Sequence, residues 1–271
     1  MSYSAKLSLL KNLYKCLFNL KKKNENFNFE APPEISFKEK LSYTKKDLEH
    51  FARLVNWNSA EIPPTFPYAL LTHLQFSIVN DKNFPFPPFG IIHKKEILEL
   101  LKPLKNGEWQ MYCHVNRFNQ VDRGIEIEII SELFIDGELS WKSTTMAFKK
   151  LKSGASKSRQ DKLEMNNPIH WHIPANQGLL YGLISNNIDP IHISKITAKM
   201  MGHKSSIIHG MWTLARGLSE FKDVRLGDEI HVKFIAPIYL PADVFYNHDE
   251  TGFGVFSQDG RKTHLIVEIK R

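Results

Sequence analysis

Apolar spacing sets the first expectations. Leu9, Leu10, Leu13, Leu17 and Leu20 recur at helical intervals with lysines between them and a Lys21 to Lys23 cluster behind, so residues 4–23 read as a basic amphipathic helix. Such a helix either packs on its own protein with a solvated lysine face or makes peripheral contact with an anionic membrane surface. A polar, proline-containing stretch follows, and residues 43–55 read as a second helix with Thr44 as its N-cap. Beyond Pro63, Pro64 and Pro67, residues 68–79 are apolar nearly all round, the pattern of a helix buried in a sheet. The segment FPFPPFG, residues 84–90, breaks that helix and reads as a rigid loop over a hydrophobic channel. Strands are predicted at 90–104, 108–118, 124–135 and 138–149, with Ile125, Ile127 and Ile129 alternating and Asp136-Gly137 as a hairpin turn. A helix followed by several antiparallel strands is an α+β pattern.

Residues 149–166 are rich in Lys, Ser and Gly and nearly devoid of apolar side chains, so an interdomain linker is expected at 151–166. The pattern then recurs, with a helix at 209–220 and strands at 229–237, 242–247, 252–257 and 263–269. The strand ending at Pro237 matches in character the one ending at Pro103, an offset of 134 residues, half the chain.

Composition narrows the classes. Of the formal charge of +7, the first 30 residues hold +4, from six lysines against Glu25 and Glu30, which leaves +3 for the other 241 and no basic stripe with interleaved aromatics. Nucleic-acid binding is therefore not expected. Two cysteines, Cys16 and Cys113, are too few for a disulfide scaffold and point to a reducing, cytoplasmic setting. No apolar run reaches the roughly 18 residues of a membrane span, and the N-terminus lacks a signal-peptide pattern. His170-Trp171-His172 has no third ligand at metal spacing nearby and reads as a strand with alternating faces.

Chemistry concentrates in residues 181–215, YGLISNNIDPIHISKITAKMMGHKSSIIHGMWTLA, where three histidines and an acid sit among apolar neighbours. Asp189-Pro190 favours a turn, and His192 follows it just before a short helix at 194–201, a position for an acid or base whose ordinary pKa lies near neutrality. His209-Gly210 opens the next helix, where unpaired N–H groups suit an oxyanion and a glycine lets a ligand approach the backbone. Together these suggest proton abstraction alpha to a carbonyl, such as that of a thioester, coupled to gain or loss of water. The alternative is that His192 and His209 are satisfied structural histidines.

With Tyr181, Ser185, Pro190, Ile191, His192, His209, Gly210 and Met211 in place, the segment resembles the hydratase 2 signature of the MaoC-like dehydratases, the (R)-specific enoyl-CoA hydratases. Residues 65–97 and 234–244 look like the two halves of double-hotdog acyl dehydratases. The resemblance implies a double hotdog, two antiparallel sheets each wrapped around a central helix, with a motif-free half at 31–150 and a motif-bearing half at 167–271. It implies a (3R)-hydroxyacyl-thioester dehydratase acting on an acyl-CoA or acyl-ACP in fatty-acid metabolism, a backbone N–H at Gly210 holding the thioester oxygen, Tyr181 and Ser185 as substrate-binding motif positions, and no metal or redox cofactor. A homodimer of double hotdogs is compatible with it. One departure stands out: the family's catalytic Asp position is Asn187, and its Asn position is Asp189. A carboxamide holds a water but accepts no proton at neutral pH. Asp189 is then the candidate carboxylate partner of His192 and Asn187 the candidate water positioner, with acyl-thioester binding without turnover as the alternative and thioester hydrolysis as a third reading.

Overall fold

A computed structural model describes residues 33–88, 90–151 and 167–271. The basic helix expected at 4–23 and most of the expected linker lie outside these residues. Helix α1 (Lys45–Val55) begins where the sequence places it, because Thr44 and Asp47 close a capping box in which each side chain accepts from the other's backbone N–H. Helix α2 (Phe66–Val79) buries eight of its residues, Phe66, Leu71, Leu74 and Ile78 among them, which answers to its all-round apolar pattern.

Ten strands form one antiparallel sheet: β1 (Ser36–Leu41), β2 (Ile91–Leu100), β3 (Trp109–Val121), β4 (Gly124–Ile135), β5 (Glu138–Lys150), β6 (Ile169–Ile173), β7 (Glu229–Phe234), β8 (Ala242–His248), β9 (Gly252–Ser257) and β10 (Thr263–Lys270). The turn between β4 and β5 has positive φ at both Asp136 and Gly137, the backbone that a two-residue hairpin requires. Strand order is β1-β3-β4-β5-β2-β7-β10-β9-β8-β6. Read outward from the β2·β7 junction, both directions run through the same connectivity, so the sheet is a pseudo-twofold repeat. Its axis can be located. In the antiparallel β2·β7 pair Ile97 faces His231, and their separation in sequence equals the 134-residue offset between Pro103 and Pro237. A residue opposed to its own counterpart lies on the axis.

The second half adds α3 (Gln177–Ser185), α4 (Pro190–Ile193), α5 (Lys195–Met200) and α6 (Gly210–Phe221). Helix α2 packs on β1 and β3, and α6 packs on β9 and β10, so each half of the sheet wraps one long helix. This is the double hotdog. One hydrophobic core runs through both halves, from Phe51, Trp109 and Trp141 to Tyr181, Leu214 and Tyr246. The halves are also joined by hydrogen bonds at the end of α1, where the Leu54 carbonyl accepts from Gln177 Nε2 at 3.2 Å and from Trp212 Nε1 at 2.9 Å. Leu54 belongs to the last turn, whose carbonyls have no partner within the helix.

Three expectations need correction. Strand β1 was not foreseen, because SFKEKL carries only Phe37 and Leu41 as apolar residues; it is a polar edge strand held by pairing with β3. Strands β2 and β7 stop at Leu100 and Phe234, short of the expected ends at 104 and 237. Helix α3 carries no predicted counterpart, because its two glycines, Gly178 and Gly182, weaken the helical pattern.

Candidate active site

The motif is assembled from short elements tied to one another through the backbone. Asp189 is the N-cap of α4, its Oδ1 accepting from Ile191 N–H at 3.2 Å. Pro190 occupies the first helical position, where its missing N–H and fixed φ cost nothing. Ser194 and Thr197 form a capping box that starts α5, and Thr197 Oγ1 also donates to the Pro190 carbonyl at 2.6 Å. The Ile207 N–H donates to the Ile191 carbonyl at 2.9 Å, which fastens the strand-like approach to α6 alongside α4.

His192 is half-buried, and its Nδ1 lies 2.7 Å from the Ile207 carbonyl. A carbonyl only accepts, so Nδ1 carries the proton and Nε2 is left as a bare lone pair with no partner among the described residues. His209 is 3% exposed, and its Nε2–H donates to the Asn187 carbonyl at 3.1 Å. The same logic leaves His209 Nδ1 unprotonated, and it is buried without a partner. The two imidazoles stack with centroids 3.6 Å apart. Burial holds the His192 pKa below the ordinary histidine value of 6.5, against the opposing pull of the Asp189 charge and the Ile207 carbonyl. Burial and the neighbouring His192 push His209 well below it. Both rings are neutral at pH 7, so His192 presents a base at Nε2.

The exchanged pair is now placed. Asp189 has one carboxylate oxygen on the α4 cap, and its charge acts on His192 across space; the hydrogen-bond partner of His192 is the Ile207 carbonyl rather than a carboxylate. Asn187 is held by its backbone on both sides, its N–H donating to the Gly182 carbonyl at 3.0 Å and its carbonyl accepting from His209. Its Oδ1 accepts from Asp189 N–H at 3.4 Å, which leaves the carboxamide NH₂ as a donor without a partner among the described residues.

Gly210 is the first residue of α6, and no side chain caps that helix, so its N–H is among the donors with no acceptor within the helix. Why a glycine stands there differs from the expectation of a ligand approaching the bare backbone. A Cβ at 210 would lie 2.7 Å from the ring of Phe234, so a side chain of β7 fills that space. Tyr181 is 2% exposed with a hydroxyl that has no partner; burial drives its pKa upward, and its ring lies 5.0 Å from that of His209. Ser185 Oγ donates to the Tyr181 carbonyl one turn back, a local helix contact.

Two features escaped sequence reasoning. Gly178 and Gly182 are four residues apart on one face of α3, and a Cβ on either would come within 2.5 Å of a motif carbonyl, that of His192 or Asn187 respectively. Their spacing was the available signal. In the other half, Glu96 is fully buried; Thr145 Oγ1 donates to it at 2.8 Å, Ser143 Oγ also donates to it, and His93 Nε2 lies 2.9 Å away. His93 in turn packs on Phe234, the ring that covers Gly210. His170 and His172 flank Asp243 on exposed positions of β6 while Trp171 points inward, and no group of three potential ligands among the described residues is arranged to hold a metal. No helix among them is long and apolar enough to cross a membrane.

Residues 155–269 match the family described as MaoC like domain. The match spans the C-terminal half of the chain. Its motif, from Tyr181 to Met211, lies inside the matched stretch. Over 191 residues the chain is 24% identical to 3-hydroxyacyl-thioester dehydratase X of Mycobacterium tuberculosis, covering 67% of this chain and 68% of that protein. The crystal structure of HtdX from the same organism superposes with a TM-score of 0.74 at 19% identity, covering 88% of this chain and 99% of that one. A MaoC-like dehydratase from Phytophthora capsici gives 0.71 at 17% identity over 90% and 98% of the two chains. These structural likenesses extend across both halves, so the half that precedes the matched stretch shares in the fold.

Proposed function

We propose that the chain is a hydro-lyase that adds water to a trans-2-enoyl thioester, and removes it from the (3R)-3-hydroxyacyl thioester, with acyl-CoA or acyl-ACP as substrate. The single observation that carries this reading is the fixed tautomer of His192, which leaves its Nε2 unprotonated within the motif that also holds Asn187, whose carboxamide NH₂ has no partner among the described residues. In the hydration direction Asn187 orients a water and His192 Nε2 takes one of its protons as the oxygen bonds to C3. The C2=C3 electron pair moves toward the thioester, whose oxygen accepts from Gly210 N–H at the start of α6. The same proton, now on Nε2, passes to C2, so one water is consumed and His192 is restored. Asp189 holds the helix that carries His192, and its charge favours the imidazolium of the middle step. The division into a supporting hotdog at 31–150 and an active one at 167–271 is part of the proposal, as is the name of the mycobacterial relative as a guide to substrate.

The replacement of the family's Asp by Asn187 favours a second reading, binding of acyl thioesters without turnover. Hydration of crotonyl-CoA by the purified protein separates the two. A native rate that His192→Ala abolishes supports the enzyme. A silent wild type in which Asn187→Asp creates activity supports binding.

A further inference from the structure

Helix α5 follows His192 by three residues and presents an unusual surface. Ile196 and Met200, one turn apart, are 75% and 81% exposed, the two most exposed large apolar side chains among the described residues. Lys195 and Lys199 stand beside them at the same spacing, both exposed, and neither makes an ion pair among the described residues. Lys204, just beyond, lies over the Tyr239 ring at 4.6 Å. From Pro190 to Ser219 the sequence contains no aspartate or glutamate. The helix is anchored to the candidate site: Ala198 is fully buried, and Thr197 bonds the carbonyl of Pro190, two residues from His192. The surface is thus apolar, basic and fixed relative to the reactive imidazole.

We infer that α5 is the docking surface for an acidic acyl carrier protein that delivers the thioester to His192. The inference rests on the dehydratase reading and deepens it by choosing between carriers. Lysines alone would serve the phosphates of a nucleotide carrier. Two aliphatic side chains held in water need a partner with apolar surface of its own, and the uncompensated positive charge selects one that is acidic.

The test uses the full chain and two surface variants, Lys195→Glu/Lys199→Glu and Ile196→Ser/Met200→Ser. Kinetics are compared on crotonyl thioesters of a bacterial acyl carrier protein and of CoA, and binding of the butyryl-loaded carrier is followed by calorimetry. The expected result is a rise of about tenfold or more in KM for the carrier substrate in both variants, with kcat and the CoA parameters within about twofold of wild type, and calorimetric binding that weakens in parallel and with salt. Binding of the saturated carrier needs no turnover, so its loss in the variants upholds the docking surface even if no thioester is hydrated, which would sink the dehydratase reading instead. Unchanged carrier binding in both variants overturns the inference. So does co-sedimentation with anionic phospholipid vesicles that the variants abolish while carrier binding is absent, or a dimer in light scattering that only the wild type forms.

Discussion

Substitutions at Asp189 separate two roles that one side chain can play. Asp189 Oδ1 caps α4 through Ile191 N–H, and its charge reaches His192 without a hydrogen bond. Asparagine is as good an N-cap as aspartate, whereas alanine leaves the donor unpaired, at a typical cost of about 1 kcal/mol within a range of ~0.5–2. Asp189→Asn is therefore expected to unfold in urea within a few tenths of a kcal/mol of wild type, and Asp189→Ala about 1 kcal/mol earlier. The effect on activity runs through His192. Removing the negative charge lowers its pKa further, so the acidic limb of the rate profile moves to lower pH and the base weakens. The expected loss in kcat is under about tenfold, against the ~10² to 10⁴ that removal of a general base costs. The assay is hydration of crotonyl-CoA followed by loss of enoyl-thioester absorbance across the pH range, beside urea denaturation of the same preparations. A fall of a hundredfold or more in Asp189→Asn with unchanged stability would refute the capping role as its main one. It would make the carboxylate itself a proton-transfer group, partnering His192 from a moved position.

The two depressed histidines predict acid lability: each contributes stability that is present above the ordinary histidine pKa of 6.5 and is lost as pH falls through its folded value, so urea midpoints should drop between pH 7.5 and 5, and His209→Gln should flatten that slope. Gly182→Ala drives a Cβ to 2.5 Å from the Asn187 carbonyl, a backbone atom that cannot swing away; a stability loss of about 1–3 kcal/mol together with loss of hydration is expected, whereas an unaffected enzyme would show that the α3 contact does not set the motif. Glu96→Ala strands the Ser143 and Thr145 hydroxyls, each at a typical cost of about 1–3 kcal/mol in urea, and Ser143→Ala combined with Thr145→Val in that background should recover part of it.

Much of the fold can be read in the order of residues because its elements rest on local signals. The capping box at Thr44, the all-round apolar run of α2, the alternating isoleucines of β4 and the Asp136-Gly137 turn each state their conformation within a few positions. The site is harder. Pattern marks His192, His209 and Gly210, but tautomers depend on which carbonyls arrive from elsewhere, and Ile207 is 15 residues from His192. Gly210 reads as an opening for a ligand until Phe234, brought in by β7, is seen to fill it. The resemblance places Asn187 and Asp189 at exchanged positions, yet only the geometry separates a carboxylate engaged in capping from one bonded to the imidazole.

The repeat itself explains a further asymmetry. Under the 134-residue relation that puts Ile97 opposite His231, the counterpart of Glu96 is Ile230. Both are fully buried, one a carboxylate and the other an aliphatic side chain. Two identical chains could not differ in this way, since a buried carboxyl group and its donors would have to appear on both sides of the axis. Within one chain the halves are free to diverge. The half without the motif carries the polar cluster of Glu96, Ser143 and Thr145, and through His93 and Phe234 that cluster abuts the helix start that holds Gly210 in the other half. The half at 31–150 is therefore more than filler. Its core supports the ring that sets the position of the other half's candidate oxyanion donor, and a substitution there should register across the axis.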